Sequence, residues 1–148
     1  MKQNKLFRFS ILALLLMLSS LAYSQELVSW QFALPEPSDG KAKTAKATTI
    51  AENIEESTLV RGSGAQKVAG NARGFSANMV ACATYEDAKA SGAYFQFVLK
   101  AKKGYKISLR TLSSIMRRQE AAANKYRWAY SFNGKDFFKR GFKYRFHT

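Results

Sequence analysis

The feature that most constrains this chain is a strict alternation of side chains between positions 125 and 132. Aromatic residues occupy every second position: Tyr126, Trp128, Tyr130 and Phe132. Basic and small residues fill the positions between them: Lys125, Arg127, Ala129 and Ser131. A period of two places these sets on opposite faces of a β-strand, which predicts an aromatic core face and a basic outer face. The alternative stays open that part of the aromatic stripe is a solvent-facing platform on which sugar rings or bases stack.

Other segments have the same β-like composition: 27–32, 57–61, 94–99, 106–109 and 114–118. Asn133-Gly134 predicts a hairpin after the alternating strand, because both residues tolerate a positive φ, and 137–138 and 142–146 would return the chain. Thr84 and Gly92 are typical N-terminal and C-terminal caps, so they predict one short helix between them. We interpret 41–49 as an exposed loop or an irregular edge, 62–64 as a tight bend, and 68–78 as a surface loop held by Phe75.

About seven short strands, with turn residues roughly every ten positions, are typical of an all-β fold. Helical segments do not alternate with the strands, which disfavours a parallel α/β fold. The sequence therefore predicts an antiparallel β-sandwich, jelly-roll-like, with one short helix and a single domain over residues 25–148.

The first 24 residues have the three parts of a secretory signal peptide. Lys2, Lys5 and Arg8 precede an apolar run at 11–18, and Ala22-Tyr23-Ser24 forms a small-x-small cleavage site. The apolar run is shorter than the ~20 residues that span a bilayer, which favours a cleaved signal over a membrane anchor. No later segment of the sequence is apolar enough to span a membrane. We expect a protein that is secreted, or held at the cell surface or in the periplasm.

Cysteine usage bears on what stabilises the exported chain. Cys82 is the one cysteine of the sequence, so no disulfide can form within the chain. It lies in an apolar run and is interpreted as a small hydrophobic side chain rather than a reactive thiol. Packing and sheet hydrogen bonds must then stabilise the fold.

Positive charge is concentrated in the last third of the chain. The sequence has 24 Lys and Arg against 10 Asp and Glu, and residues 100–148 hold 14 of the basic and 2 of the acidic residues. Such asymmetry indicates an anionic partner such as nucleic acid, acidic polysaccharide or anionic lipid, although a merely solvated basic surface is an equal alternative. The candidate binding residues on the outer sheet face are Lys106, Arg110, Arg117, Arg118, Lys125 and Arg127.

The sequence offers little for catalysis. His147, its one histidine, stands next to the last residue, which disfavours a catalytic imidazole or a zinc site. The acidic pairs Glu55-Glu56 and Glu86-Asp87 are sequence neighbours, so their side chains point apart and are expected to be solvated. We expect no enzyme activity, no catalytic residue and no cofactor; a structural calcium ion stays open because sandwich domains often hold one.

The order of several short motifs resembles a known class of module. These are 28–32 (Val-x-Trp-x-Phe), 59–64 (Leu-Val-Arg-Gly-Ser-Gly), 94–97 (Tyr-Phe-Gln-Phe), 104–109 (Gly-Tyr-Lys-Ile-Ser-Leu), 117–118 (Arg-Arg) and 130–134 (Tyr-Ser-Phe-Asn-Gly). Over most of residues 25–138 the chain resembles the N-terminal β-sandwich module of large secreted and cell-surface bacterial proteins. The turn after Tyr130 is also loosely similar to that of galactose-binding-like domains. The resemblance implies a module without catalytic residues.

The chain departs from that module at its end, where 141–148 stand in place of the last strands. We therefore expect it to be a truncated copy of a longer protein, and one alternative is that it has no independent function. The first expectation is a non-catalytic exported module for adhesion, display or glycan contact. The second is a module that binds an anionic polymer, such as extracellular DNA or acidic polysaccharide, through its basic last third.

Overall fold

The computed structural model describes residues 25–33, 35–66, 70, 72–79, 81–120, 122, 123 and 125–140. Within them the chain is mostly β-structure with one short helix, α1 (Tyr85–Ser91), and a single 3₁₀ turn, Ser63–Ala65. The strands are β1 (Val28–Ser29), β2 (Thr44–Lys46), β3 (Thr49–Ile50), β4 (Thr58–Arg61), β5 (Phe95–Gln96), β6 (Trp128–Tyr130) and β7 (Phe138–Arg140). Their pairings are antiparallel and form three small sheets, β1-β3, β2-β4-β5 and β6-β7. The all-β prediction with one short helix is confirmed.

Strand β4 is the centre of the largest sheet. It pairs with β2 through Leu59 and Ala45 and with β5 through Arg61 and Phe95. Further hydrogen bonds continue the second pairing, so that 53–64 runs antiparallel to 92–102 along its length. This confirms the predicted strand that ends at Arg61.

Segment 41–49 is an edge of the sheet rather than a loop: β2 lies within it at the edge of the largest sheet, and β3 begins at its last residue, Thr49. Threonine has a high β-propensity but alanine and lysine do not, so this segment forms strands only beside partners that offer free backbone groups. Thr49 pairs with Ser29 of β1, and the indole nitrogen of Trp30 donates to the carbonyl of Ala45 at 2.9 Å. Tertiary hydrogen bonding therefore decides the conformation of this segment.

Aromatic contacts join the first two sheets. Trp30 packs against Phe97 with ring centroids 4.8 Å apart, and Phe75 lies between Phe32 at 6.1 Å and Phe95 at 5.5 Å. The prediction that Phe75 holds its loop is confirmed by these contacts. Val28, Trp30 and Phe32 are half-buried and Gln31 is exposed, whereas Ser29, which alternation places on the same face as Gln31, is half-buried with a buried hydroxyl.

Arg61 reinforces the same junction from within. Its guanidinium carbon lies 3.7 Å from the centroid of the Phe75 ring, and the residue is only 6% exposed. The guanidinium donates hydrogen bonds to four backbone carbonyls, those of Gly40, Ala42, Lys43 and Ser76. Burial lowers the pKa of Arg61 from its ordinary value, because removing water disfavours the charged form. Arg61 thus joins two loops to the central sheet.

Helix α1 agrees with its predicted caps. The hydroxyl of Thr84 accepts a hydrogen bond from the backbone N–H of Asp87 at 3.1 Å, as an N-cap does. Gly92 ends the helix in the left-handed region with φ 74°, a conformation that glycine adopts without a steric penalty. After Gly92 the chain continues directly into β5. Just before that strand, the carbonyl of Tyr94 accepts a hydrogen bond from the N–H of Gly62 at 2.9 Å.

The strands expected at 106–109 and 114–118 are wrong, since the described structure has no strand in either segment and only a single β-bridge at Met116. The sheet pairing stops at Lys102, and Gly104 turns the chain away with φ 90°. Ile107 is half-buried as expected, but Leu109 is 63% exposed and Ile115 is 78% exposed. Without a neighbouring strand, alternation alone does not bury an apolar face.

The predicted signal peptide, residues 141–148 and with them His147 lie outside the described residues. Among the residues that are described, no helix is long and apolar enough to cross a membrane.

Candidate functional site

The six basic residues predicted as a binding face do not form one uniform group. Four of them have exposed side chains that make no ion pair or hydrogen bond within the described residues: Lys106, Arg110, Lys125 and Arg127. They belong to two separate segments, 105–115 and 125–127. These four remain available to an anionic ligand.

Arg117 and Arg118 instead bind carbonyl groups of the chain. Arg117 donates to the carbonyl of Ala72 at 2.7 Å and so attaches its segment to the loop that carries Phe75. Arg118 donates to carbonyls of its own turn, with the shortest bond, 2.7 Å, to Glu120. A guanidinium has five N–H donors in a fixed fork, which suits it to such loop-holding roles.

The β6-β7 hairpin carries the largest exposed aromatic surface described. Tyr130 pairs with Phe138 across the two strands, and their rings stack with centroids 5.4 Å apart. Phe132 meets Tyr130 edge-on at 5.5 Å. We call Tyr130, Phe132 and Phe138 the hairpin cluster; their exposed fractions are 40%, 90% and 51%.

The expectation that all four aromatics of the stripe face a core is therefore wrong at its C-terminal half. Tyr126 and Trp128 are half-buried, but Tyr130 and Phe132 are exposed. The reason lies on the other face of the hairpin, which is attached to helix α1. The ammonium group of Lys139 lies 4.8 Å from the Tyr85 ring and pairs with the Glu86 carboxylate.

Phe137 extends this attachment between the hairpin and the helix. The ammonium group of Lys89 lies 4.8 Å from the Phe137 ring centroid, a cation–π distance. Side chains alternate between faces along a strand. Since Phe137 and Lys139 contact the helix, Phe138 and its partner Tyr130 face away from it.

Hydrogen bonds within the turn hold the hairpin in shape. The side-chain oxygen of Asn133 accepts from the backbone N–H groups of Lys135 and Asp136, both at 2.9 Å. Its amide nitrogen donates to the Asp136 carboxylate at 2.7 Å, and Gly134 has φ 72°. The predicted hairpin is confirmed, although seven residues, 131–137, separate its strands rather than two. An Asn that bonds backbone two and three residues ahead stabilises such a turn.

The hairpin attachment can be tested through the acidity of Glu86. The hydrogen bond from Lys139 holds the pKa of that carboxyl below its ordinary value, because it stabilises the charged form. We expect Lys139→Met to raise the pKa of Glu86 toward its ordinary value, measured by NMR titration of the side-chain carboxyl. Because the folded protein lowers the pKa of Glu86, the stabilisation from this ion pair is present at neutral pH. It is lost as the pH falls through the lowered pKa and the carboxylate takes up a proton.

Lys135→Met is the matched control for that titration, because it removes an exposed lysine from the same hairpin without touching Glu86. An unchanged Glu86 pKa in the Lys139 variant would show that the hairpin does not rest on the helix in solution.

Sequence reasoning did not identify Phe138 as a member of the exposed cluster. The sequence did hold a signal, since the returning strand after Asn133-Gly134 must place one of its aromatics beside Tyr130. The seven-residue loop sets the register and so selects Phe138 rather than Phe137.

The acidic pairs are solvated, as expected from their spacing. Glu55 pairs with Lys100 at 3.0 Å and Glu56 with Lys46 at 2.5 Å, on exposed surfaces. No group of three or more His, Cys, Asp or Glu that could hold a metal ion occurs in the part of the chain that the structure describes.

Comparison of the chain with protein-family models, curated proteins and solved structures found no match.

Proposed function

We propose that this protein is a non-catalytic, exported β-module that contacts glycans through the hairpin cluster. One observation carries the proposal: three adjacent aromatic rings are exposed on one face of a hairpin whose other face is attached to a helix. Soluble proteins seldom leave aromatic rings together in water, and such exposed patches mark interaction sites.

The chemistry of the cluster favours sugar rings as the ligand. Flat aromatic faces bind the apolar C–H faces of a pyranose, while its hydroxyl groups stay in water. The stacked Tyr130 and Phe138 rings and the bonded Asn133 turn limit motion before binding. A preorganised surface loses less conformational entropy when it binds its ligand.

The rest of the chain supports a role outside the cell. The signal-peptide pattern of residues 1–24 and the resemblance to modules of bacterial cell-surface proteins favour adhesion or display. We propose further that the β1-β3 and β2-β4-β5 sheets are the two layers of a small sandwich. The contact of Trp30 with Phe97 and those of Phe75 with Phe32 and Phe95 support that arrangement.

A second candidate function is binding of an anionic polymer such as extracellular DNA or acidic polysaccharide. It is favoured by four exposed basic side chains that have no ion pair within the part of the chain that the structure describes: Lys106, Arg110, Lys125 and Arg127. Binding of this kind releases counterions, so affinity falls steeply as salt is raised. Contact with a neutral glycan through aromatic rings is nearly insensitive to salt.

Phe132→Ala is expected to weaken glycan binding about tenfold, the loss typical of removing an exposed aromatic contact. The measurement is retention of the protein on chitin, cellulose and peptidoglycan sacculi, at low and high salt, with heparin as the polyanion probe. Ile115→Ala is the control, because it removes a 78% exposed apolar side chain from outside the hairpin.

Retention on heparin alone, with a steep loss at high salt, would replace the glycan proposal by the polyanion one. Equal retention of the Phe132 and Ile115 variants on the neutral polysaccharides would remove the hairpin cluster from the binding surface.

A further inference from the structure

A groove separate from the hairpin cluster lies beside the start of the first strand, with a volume of about 410 Å³. That volume is within the range of small-molecule sites, ~300–1,000 Å³. Three parts of the chain form it: the β1 approach at 25–27, the turn at 51–54, and the segment 105–108.

Backbone hydrogen bonds fix the walls of this groove relative to one another. The N–H of Ala51 donates to the carbonyl of Leu27 at 2.8 Å, and the N–H of Lys102 donates to the carbonyl of Asn53 at 2.9 Å. Tyr105 is attached through its own N–H to Lys102 at 3.1 Å. These bonds fix the 25–27 and 51–54 walls to the sheets, while the 105–108 wall follows the turn at Gly104 and is held at its start by the Tyr105 bond.

The groove has an apolar base and a polar rim. Ile54, 6% exposed, lies at the base, and the Tyr105 side chain on the rim is 55% exposed. Glu52, Asn53 and Lys106 are exposed and their side chains make no hydrogen bond or ion pair within the described residues. They supply a carboxylate, an amide and an ammonium group to one groove.

We propose that this groove binds one neutral pyranose ring. A pyranose has apolar C–H faces that pack against a tyrosine ring and an aliphatic base, and a rim of hydroxyl groups that donate and accept hydrogen bonds. Glu52 accepts such bonds, Lys106 donates them, and Asn53 does both.

The carboxylate of Glu52 disfavours an anionic ligand in this groove. The chain carries a formal net charge of +14, yet Glu52 and Lys106 give this groove one negative and one positive side chain. An anion that approached Lys106 here would also meet the Glu52 carboxylate, which repels it. Lys106 belongs to the basic segment 105–115 as well, so Glu52 is the residue that distinguishes the groove from the rest of that segment.

This inference does not rest on the hairpin cluster, since the two surfaces share no residue. It adds a second site, one that takes a single sugar unit rather than the face of a polymer.

Saturation-transfer NMR of the purified protein with methyl β-glucoside, methyl β-galactoside and N-acetylglucosamine tests the proposal. We expect at least one of them to bind. Tyr105→Ala should weaken that binding about tenfold, and Tyr105→Trp should retain it because stacking is preserved. Asn53→Ala should also weaken it, while Phe132→Ala, in the hairpin, should leave it unchanged.

Several outcomes would overturn the proposal: no transfer to any of the three sugars, binding that Tyr105→Ala leaves unchanged, or binding of free glycine or lysine in preference to a sugar. Since Tyr105 is an exposed side chain, its removal should not unfold the protein, and a melting curve of each variant checks this. Loss of polysaccharide retention in Phe132→Ala with intact monosaccharide binding would separate the two sites.

Discussion

Replacing Arg61 with alanine is expected to lower the free energy of unfolding by about 1.5–3 kcal/mol, the scale for hydrogen bonds that involve a charged group. The side chain is 6% exposed and donates to the carbonyls of Gly40, Ala42, Lys43 and Ser76. Its loss leaves the carbonyls of Ala42, Lys43 and Ser76 without this donor and removes the cation from the face of Phe75, while the Gly40 carbonyl keeps its hydrogen bonds from Ser76.

The charge of Arg61 alone does not account for this role. Within the described residues no carboxylate pairs with it, so the stabilisation comes from hydrogen bonds and ring packing. A lysine has one compact ammonium group and cannot reach four carbonyls spread over two loops. We therefore expect Arg61→Lys to recover only a small part of the loss.

Urea denaturation followed by circular dichroism measures these differences, with Arg110→Ala as the control. Arg110 is exposed and lies in the segment that leaves the sheet, so its variant should stay within about 0.5 kcal/mol of the unmodified protein. If Arg61→Lys were as stable as the unmodified protein, the carbonyl network would not be a source of stability.

Gly62→Ala is expected to destabilise the protein by about 1–3 kcal/mol, the usual cost of forcing a methyl group into a filled space. A Cβ atom at this position would overlap the carbonyl oxygen of Gly92 and lie 2.9 Å from the Tyr94 ring. The turn after β4 packs directly against the C-terminal end of helix α1. The added methyl group would therefore force the turn and the helix end apart.

Ser63→Ala provides the matched control, because it changes the next residue without adding an atom. Its side chain is exposed, and the change should alter stability by no more than about 0.5 kcal/mol. Thermal melts of both variants decide the point. Equal melting temperatures would mean that the turn and the helix end are not in close contact.

Local signals predicted those parts of the fold that depend on a few neighbouring residues. Thr84 and Gly92 cap α1 as expected, since capping needs only the groups of the helix itself. Asn133 likewise folds its hairpin turn through its own side chain. The strand at 58–61 was predictable because its β-branched residues are bounded by glycine.

Segments whose conformation depends on a distant partner were not predictable in the same way. Residues 44–46 form a strand because β4 lies beside them, while 106–109 form none because no neighbouring strand pairs with them in the described structure. Backbone hydrogen bonds between strands are contacts over long sequence distances, so short patterns carry little information about them.

In the candidate site, too, the sequence predicted some features, while contacts between distant residues decided others. Net charge located the basic third of the chain, but it did not show that Arg117 and Arg118 bind carbonyl groups within the fold. The groove at Tyr105 is lined by residues from three separate segments. No motif in the sequence indicates that these segments lie close together in the fold.

The sequence by itself determined that Trp128 and Tyr130 share one side of an alternating strand, because the period of a β-strand is a local property. It could not determine which side faces water. The tertiary structure decided this when Lys139 and Phe137 contacted helix α1 and left Tyr130 and Phe138 on the outer face. A strand has two faces of equal geometry, and only the element that packs against it makes one of them the inside.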